Sequence, residues 1–183
     1  MFKNALKLKK MTTREMCILA MLVAVTAVLS FVSGYLRTPV GKLNISFVSV
    51  YVCAAMYGPV AGGVVGAMAD LFSVWFSGSG SPLIWFTVIE FINGFIFGLL
   101  FYKSDDSKER SMLLITVLAV VCVAVQYGVN LLRIPTLAKL QNLTYKQVFI
   151  MRIPSTTLML AVKLFGIILI EPYMKKFRKL IRN

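Results

Sequence analysis

LNISFVSVYVCAAMYGPVAGGVVGAMADLFSVWF, residues 43–76, contains one acid, Asp70, and no lysine or arginine. As a single helix it would run ~51 Å, at ~1.5 Å per residue, against a bilayer core ~30 Å thick. Tyr57-Gly58-Pro59 removes the conflict, because Gly-Pro is a turn signal. The stretch therefore predicts two spans, 43–57 and 59–76, folded back on each other through a tight turn. The first is short for a crossing, so a tilt or an irregular segment is expected there.

The same reading extends both ways. Upstream lies span 16–36, free of charge, and the loop RTPVGK. Downstream come SGSGSP (77–82), span 83–102, the loop KSDDSKER, span 111–132, an amphipathic connection over 133–151 and span 152–173. The expected fold is an all-α membrane protein of six transmembrane helices, one domain over 1–183. Composition agrees: 58% of the 183 residues are hydrophobic and 15% charged, where soluble domains carry about a quarter.

A net charge of +13 would suggest nucleic acid in a soluble chain. Here the cations flank apolar runs. Thirteen of the 20 lysines and arginines lie at the two termini and in the 103–110 loop. Six lie on the opposite face: Arg37, Lys42, Arg133, Lys139, Lys146 and Arg152. The positive-inside rule then places both termini in the cytoplasm. None of the seven acids falls in an outer loop, so the outer face should attract an anion.

Several chemistries are excluded. There is no histidine, and Cys17, Cys53 and Cys122 sit in apolar runs without a CxxC spacing, so neither a zinc site nor a disulfide framework is expected. GSGSP is followed by no GK[ST], and no hydrolase motif is present. The chain is not expected to be an enzyme, to hydrolyse ATP or to hold a cofactor.

The intramembrane charges are the candidate site. Arg152 and Lys163 are eleven residues apart, three helical turns plus ~20°, so on one helix they face the same way. Pro154 suits a first helical turn, which would set Arg152 at the outer mouth, where its guanidinium could grip a carboxylate. Lys163 lies near mid-membrane and should face a cavity or an acid, with Asp70 and Glu90 as the alternatives. Asp70 ends the row Gly58, Gly62, Gly66, Asp70, one helix face whose glycines permit close packing. Trp75 and Trp85 flank an outer loop, as an interfacial belt or as stacking partners for a flat ring. Ala20, Ala24 and Ala27 form a small-residue face on the first span, open to another helix.

Taken together, these features resemble the substrate-binding S components of energy-coupling factor (ECF) vitamin transporters over nearly the whole chain. MYGPVAGGVVGAMADLF (56–72) is similar to that family's glycine-proline segment, INGFIFGLLF (92–101) to its fourth-helix segment, and Ala20-xxx-Ala24 to its first-helix alanine motif. Val129-Asn130 and Met151-Arg152-Ile153 resemble the folate-type branch. The resemblance implies a multi-pass subunit in a bacterial cell membrane that binds a vitamin from outside. It further implies docking through Ala20, Ala24 and Ala27 onto a shared transmembrane coupling subunit, with ATP hydrolysis left to two separate ATPases. For a folate it would set Arg152 or Arg37 on the glutamate tail, Asp70 and a tryptophan on the pterin, and Asn130 and Lys163 in the cavity. Riboflavin, pantothenate and thiamine or pyridoxine precursors stay open as ligands. A stand-alone secondary transporter predicts an internal repeat, which is not seen. A membrane scaffold predicts no small-molecule binding.

Overall fold

The computed structural model describes residues 12–35, 37–38, 41–42, 44–77, 84–102, 111–142 and 144–182. Among the described residues seven helices run in the order α1 (Thr13–Tyr35), α2 (Phe47–Tyr57), α3 (Pro59–Ser77), α4 (Ile84–Phe101), α5 (Met112–Leu131), α6 (Ile134–Gln141) and α7 (Tyr145–Arg182). Between α1 and α2, β1 (Arg37–Thr38) pairs antiparallel with β2 (Gly41–Lys42), Arg37 opposite Lys42. Among the described residues five helices, α1, α3, α4, α5 and α7, are long and apolar enough to cross a bilayer. The chain is an all-α, multi-pass membrane protein.

The Gly-Pro junction behaves as its chemistry requires. Gly58 takes φ 99°, a left-handed conformation open to glycine, and its N–H donates to the Ala54 carbonyl. Pro59 then starts α3, where its missing N–H is not needed. The segment expected as span 43–57 is helical only over Phe47–Tyr57, eleven residues, or ~16 Å of rise. Its polar approach is held by side chains: Ser33 Oγ accepts from the Ile45 N–H at 2.9 Å, and Ser46 Oγ donates to Asn44.

The glycine row seats α3 on α4. A Cβ added to Gly66 would meet the Glu90 carbonyl at 2.7 Å, and Cβ atoms on Gly62 and Gly94 would each overlap the other's backbone. Bare glycines let the two backbones touch, the small-residue packing that membrane helices use. Gly98 lies against Gly58 and Pro59, so the same contact runs to the turn.

Helix α1 is inside-out by the standards of a soluble protein. Thr26, Ser30 and Ser33 are buried, while Met21, Val25, Val28 and Val32 are exposed. Thr26 Oγ1 donates to Ser49 Oγ at 2.6 Å, and Ser30 Oγ to the Ala69 carbonyl at 3.3 Å. Lipid is as apolar as valine, so burying the outward face gains little, whereas polar groups must find partners inside.

The second half departs from expectation. The 133–151 connection contains α6, opened by Pro135 and closed by Asn142 at φ 52°. Helix α7 then starts at Tyr145, so Pro154 lies inside it and not in its first turn. Arg152 is therefore two turns into a continuous helix of 38 residues. A membrane helix tolerates such a proline, because hydroxyls and neighbouring helices satisfy the freed carbonyls. The carbonyl that Pro154 leaves free is that of Ile150, four residues back; the Ser155 and Thr156 hydroxyls reinforce the same turn by donating to the Arg152 carbonyl.

The core joins these halves. Tyr51 of α2 is fully buried, edge-on to Phe97 and Phe101 of α4, and its hydroxyl donates to Glu171 of α7. Helix α5 packs on α4 and α7, and α7 reaches α2.

Candidate functional site

A small cavity opens between α5 and α7, lined by Val123, Gln126, Tyr127, Asn130, Thr156, Met159, Leu160 and Lys163. Its volume is about 30 Å³, room for one water-sized group. The period-3.6 spacing of each helix brings these residues to one seam. Asn130 and Lys163, both expected in the site, meet here.

Lys163 Nζ donates to Gln126 Oε1 at 2.9 Å and stands 5.9 Å over the Phe97 ring. Gln126 Nε2 donates in turn to the Asn93 carbonyl of α4 at 3.0 Å. Asn130 Nδ2 donates to the Gln126 carbonyl at 2.8 Å. Lys163 thus has an amide oxygen as partner, and neither Asp70 nor Glu90 is hydrogen-bonded to it.

Glu90 is claimed by Arg133, from the turn between α5 and α6, with Nη2 to Oε1 at 2.5 Å. Asn93, one turn along α4, adds a 3.3 Å bond to the other oxygen, and Phe86 lies 5.3 Å beneath the guanidinium. Arg133, counted from the sequence among the outer-face cations, is turned inward. A carboxylate in an apolar span needs such a partner. Glu90 announced the need in the sequence, but Arg133 is 43 residues away with nothing local to mark it.

Arg152 is half-buried one turn before Thr156 on α7 and does not itself line the cavity. Among the described residues its guanidinium has no hydrogen-bond partner, and Arg133 repels it electrostatically. Near the seam, Arg133 Nε and Asn93 Oδ1 are also buried without a hydrogen-bond partner among the described residues. Glu90 and Arg133 also act on Lys163 through space. The seam and its neighbouring turn therefore bring together the Arg133–Glu90 pair and two further cations, Arg152 and Lys163, neither of which is hydrogen-bonded to that carboxylate.

The other expected residues lie elsewhere. Asp70 accepts from Thr87 Oγ1 at 2.9 Å, a bond between α3 and α4. Trp75 is 83% exposed and Trp85 49%, and neither lines the cavity. Arg37 is described as backbone in β1 only. Ala20 and Ala24 are exposed on α1 and Ala27 is half-buried, so the small-residue face is open. Sequence reasoning passed over Gln126. Its signal was an amide that follows the run from Leu113 to Val125, in which Thr116 is the one polar side chain.

A helical membrane bundle with a cation-bordered polar seam is of the class of membrane subunits that can hold a polar ligand between helices. The chain belongs to the family described as ECF transporter, substrate-specific component, whose model matches residues 14–172. Its relatives include the folate transporter FolT of Clostridium novyi, 28% identical over 85 residues, which are 46% of this chain and 49% of that protein. FolT of Leuconostoc mesenteroides subsp. mesenteroides is 30% identical over 99 residues, 54% and 52% of the two chains. FolT of Streptococcus mutans serotype c is 29% identical over 111 residues, 58% and 55%. The chain thus spans about half the length of the relatives it matches. A crystal structure of FolT bound with folic acid superposes with a TM-score of 0.67 at 20% identity, covering 93% of this chain and 98% of that one. That likeness is one of fold.

Proposed function

We propose that this chain is the vitamin-binding subunit of an ATP-driven importer and that its ligand is folate. The observation that carries the reading is the charge of the α5–α7 seam, where Lys163 is held by an amide oxygen, the Arg152 guanidinium has no hydrogen-bond partner among the described residues, and Glu90 is already paired with Arg133. Such a site is short of acceptors. Folate supplies them: its glutamate tail is a dianion, and its pterin is a flat ring with donors and acceptors. The names of the FolT relatives and the folic acid in the superposed structure support the same ligand.

The geometry suggests an assignment of roles. Arg152 and the unpaired Nε of Arg133 meet the tail at the outer end. Lys163 and Asn130 meet the ligand deeper in. The cavity at about 30 Å³ is far smaller than folate, so binding has to part α5 from α7 on the Asn130–Arg152 side of the Lys163–Gln126 bond, which stays closed. Asp70, Trp75, Trp85 and Arg37 stay candidates only for the wall that forms on opening. Helix α1 presents Ala20, Ala24 and Ala27 to a coupling subunit, and separate ATPases supply the energy. The excess of cations at the termini and in the 103–110 loop supports cytoplasmic termini.

The test is calorimetric titration of the purified chain with folate, with riboflavin and pantothenate in parallel. Tight one-to-one binding of folate alone is expected. Tight binding of another vitamin instead would keep the subunit reading and replace the ligand. Binding of none would favour a scaffold.

A further inference from the structure

Gln126 is 1% exposed, at the junction of three helices. Its Oε1 accepts from Lys163 and its Nε2 donates to the Asn93 carbonyl. Both ends of the amide are engaged, so it cannot rotate without breaking a buried hydrogen bond. Lys163 carries three N–H donors and gives one to Gln126, leaving two. Lys163 and Gln126 both line the cavity.

The choice of an amide matters. A carboxylate at this position would hold the ammonium equally well but cancel its charge. An apolar side chain would leave a flexible four-carbon stem free to move among rotamers. Glutamine fixes the lysine and leaves the charge intact. The Asn93 carbonyl orients the glutamine, so the aim is set from α4, a helix that does not line the cavity.

We propose that Gln126 is a positioning residue, which directs the charged Lys163 into the cavity so that the site selects a ligand group that is anionic or a carbonyl. The proposal rests on the reading that this cavity binds an acceptor-rich vitamin. Lys163 touches the ligand; Gln126 acts through it.

A double-mutant cycle on the full chain tests this, with folate affinity read by calorimetry and folding by melting temperature. Gln126→Met and Lys163→Met should each weaken folate binding about tenfold or more, the effect of losing a charged hydrogen bond. The double variant should bind no more weakly than Lys163→Met alone. If the two losses multiply, Gln126 acts independently of the lysine and the proposal fails. Wild-type affinity in a folded Gln126→Met variant overturns it as well. Should Gln126→Met not fold, Gln126→Glu carries the same expectation, because it keeps the lysine's acceptor but neutralises the charge; unchanged folate affinity there also overturns it. Unchanged affinity in Lys163→Met, or no folate binding by the wild type, would instead sink the cavity reading on which the proposal stands.

Discussion

Glu90 and Arg133 face each other across an apolar interior, and removing either should be costly. A buried pair that loses one partner leaves an uncompensated charge, typically ~3–5 kcal/mol. We expect Glu90→Ala to lower stability by about that much, read as a lower denaturant or thermal midpoint in detergent. Glu90→Leu combined with Arg133→Met should recover most of the loss, because apolar replacements of a buried pair are often near neutral. Arg152 should behave oppositely. With no hydrogen-bonded partner among the described residues, Arg152→Ala should leave the midpoint in place and weaken folate binding by ~1.5–3 kcal/mol. Unchanged affinity would remove Arg152 from the site. Lys163 and Arg152 could be singled out in the sequence because a cation in an apolar run stands out. Gln126 and Arg133 stand out far less. One is an uncharged amide, and the other sits among loop residues where a cation normally meets water.

At the scale of the helix, the α3–α4 contact makes the sharpest prediction. Gly94→Ala would drive a methyl group into the Gly62 backbone. Overpacking of this kind costs ~1–3 kcal/mol, so the melting midpoint in detergent should fall. Gly128 of α5 has nothing within 4 Å of an added Cβ. Gly128→Ala should be neutral or stabilise by up to about 1 kcal/mol through helix propensity. Equal effects at the two sites would mean that backbone contact is not what holds α3 to α4. This element was readable in the sequence, since the four-residue spacing of Gly58, Gly62 and Gly66 encodes a face. The start of α7 was not. Pro154 marks a helix start under rules drawn from water-soluble chains, but within a bilayer a broken helix end costs more than an internal proline. The short α2 was anticipated only as a span in need of adjustment.

At the scale of the molecule, apolar length was legible and the inner arrangement was not. The 20-residue runs report where lipid is, whereas the pairing of helices depends on small and polar residues that are few and far apart in sequence. Helix α1 illustrates this, because Thr26, Ser30 and Ser33, not its valines, face inward. Its outward Ala20 and Ala24 are exposed. Ala24→Trp should therefore leave folate affinity unchanged and reduce uptake by the assembled importer, measured with labelled folate in vesicles. Normal uptake would clear this face of a docking role.

The α5–α7 seam has a kinetic consequence. If this seam is the vitamin site proposed above, a cavity of about 30 Å³ cannot admit the ligand as it stands, and capture has to wait for the Asn130–Arg152 end of the seam to part. The apparent affinity is then the intrinsic affinity scaled by the fraction of molecules already open. If opening precedes capture, the observed rate of association will rise with folate concentration and then level off. The plateau measures how often the two helices separate, and the wild-type chain would hold its vitamin slowly gained and slowly lost.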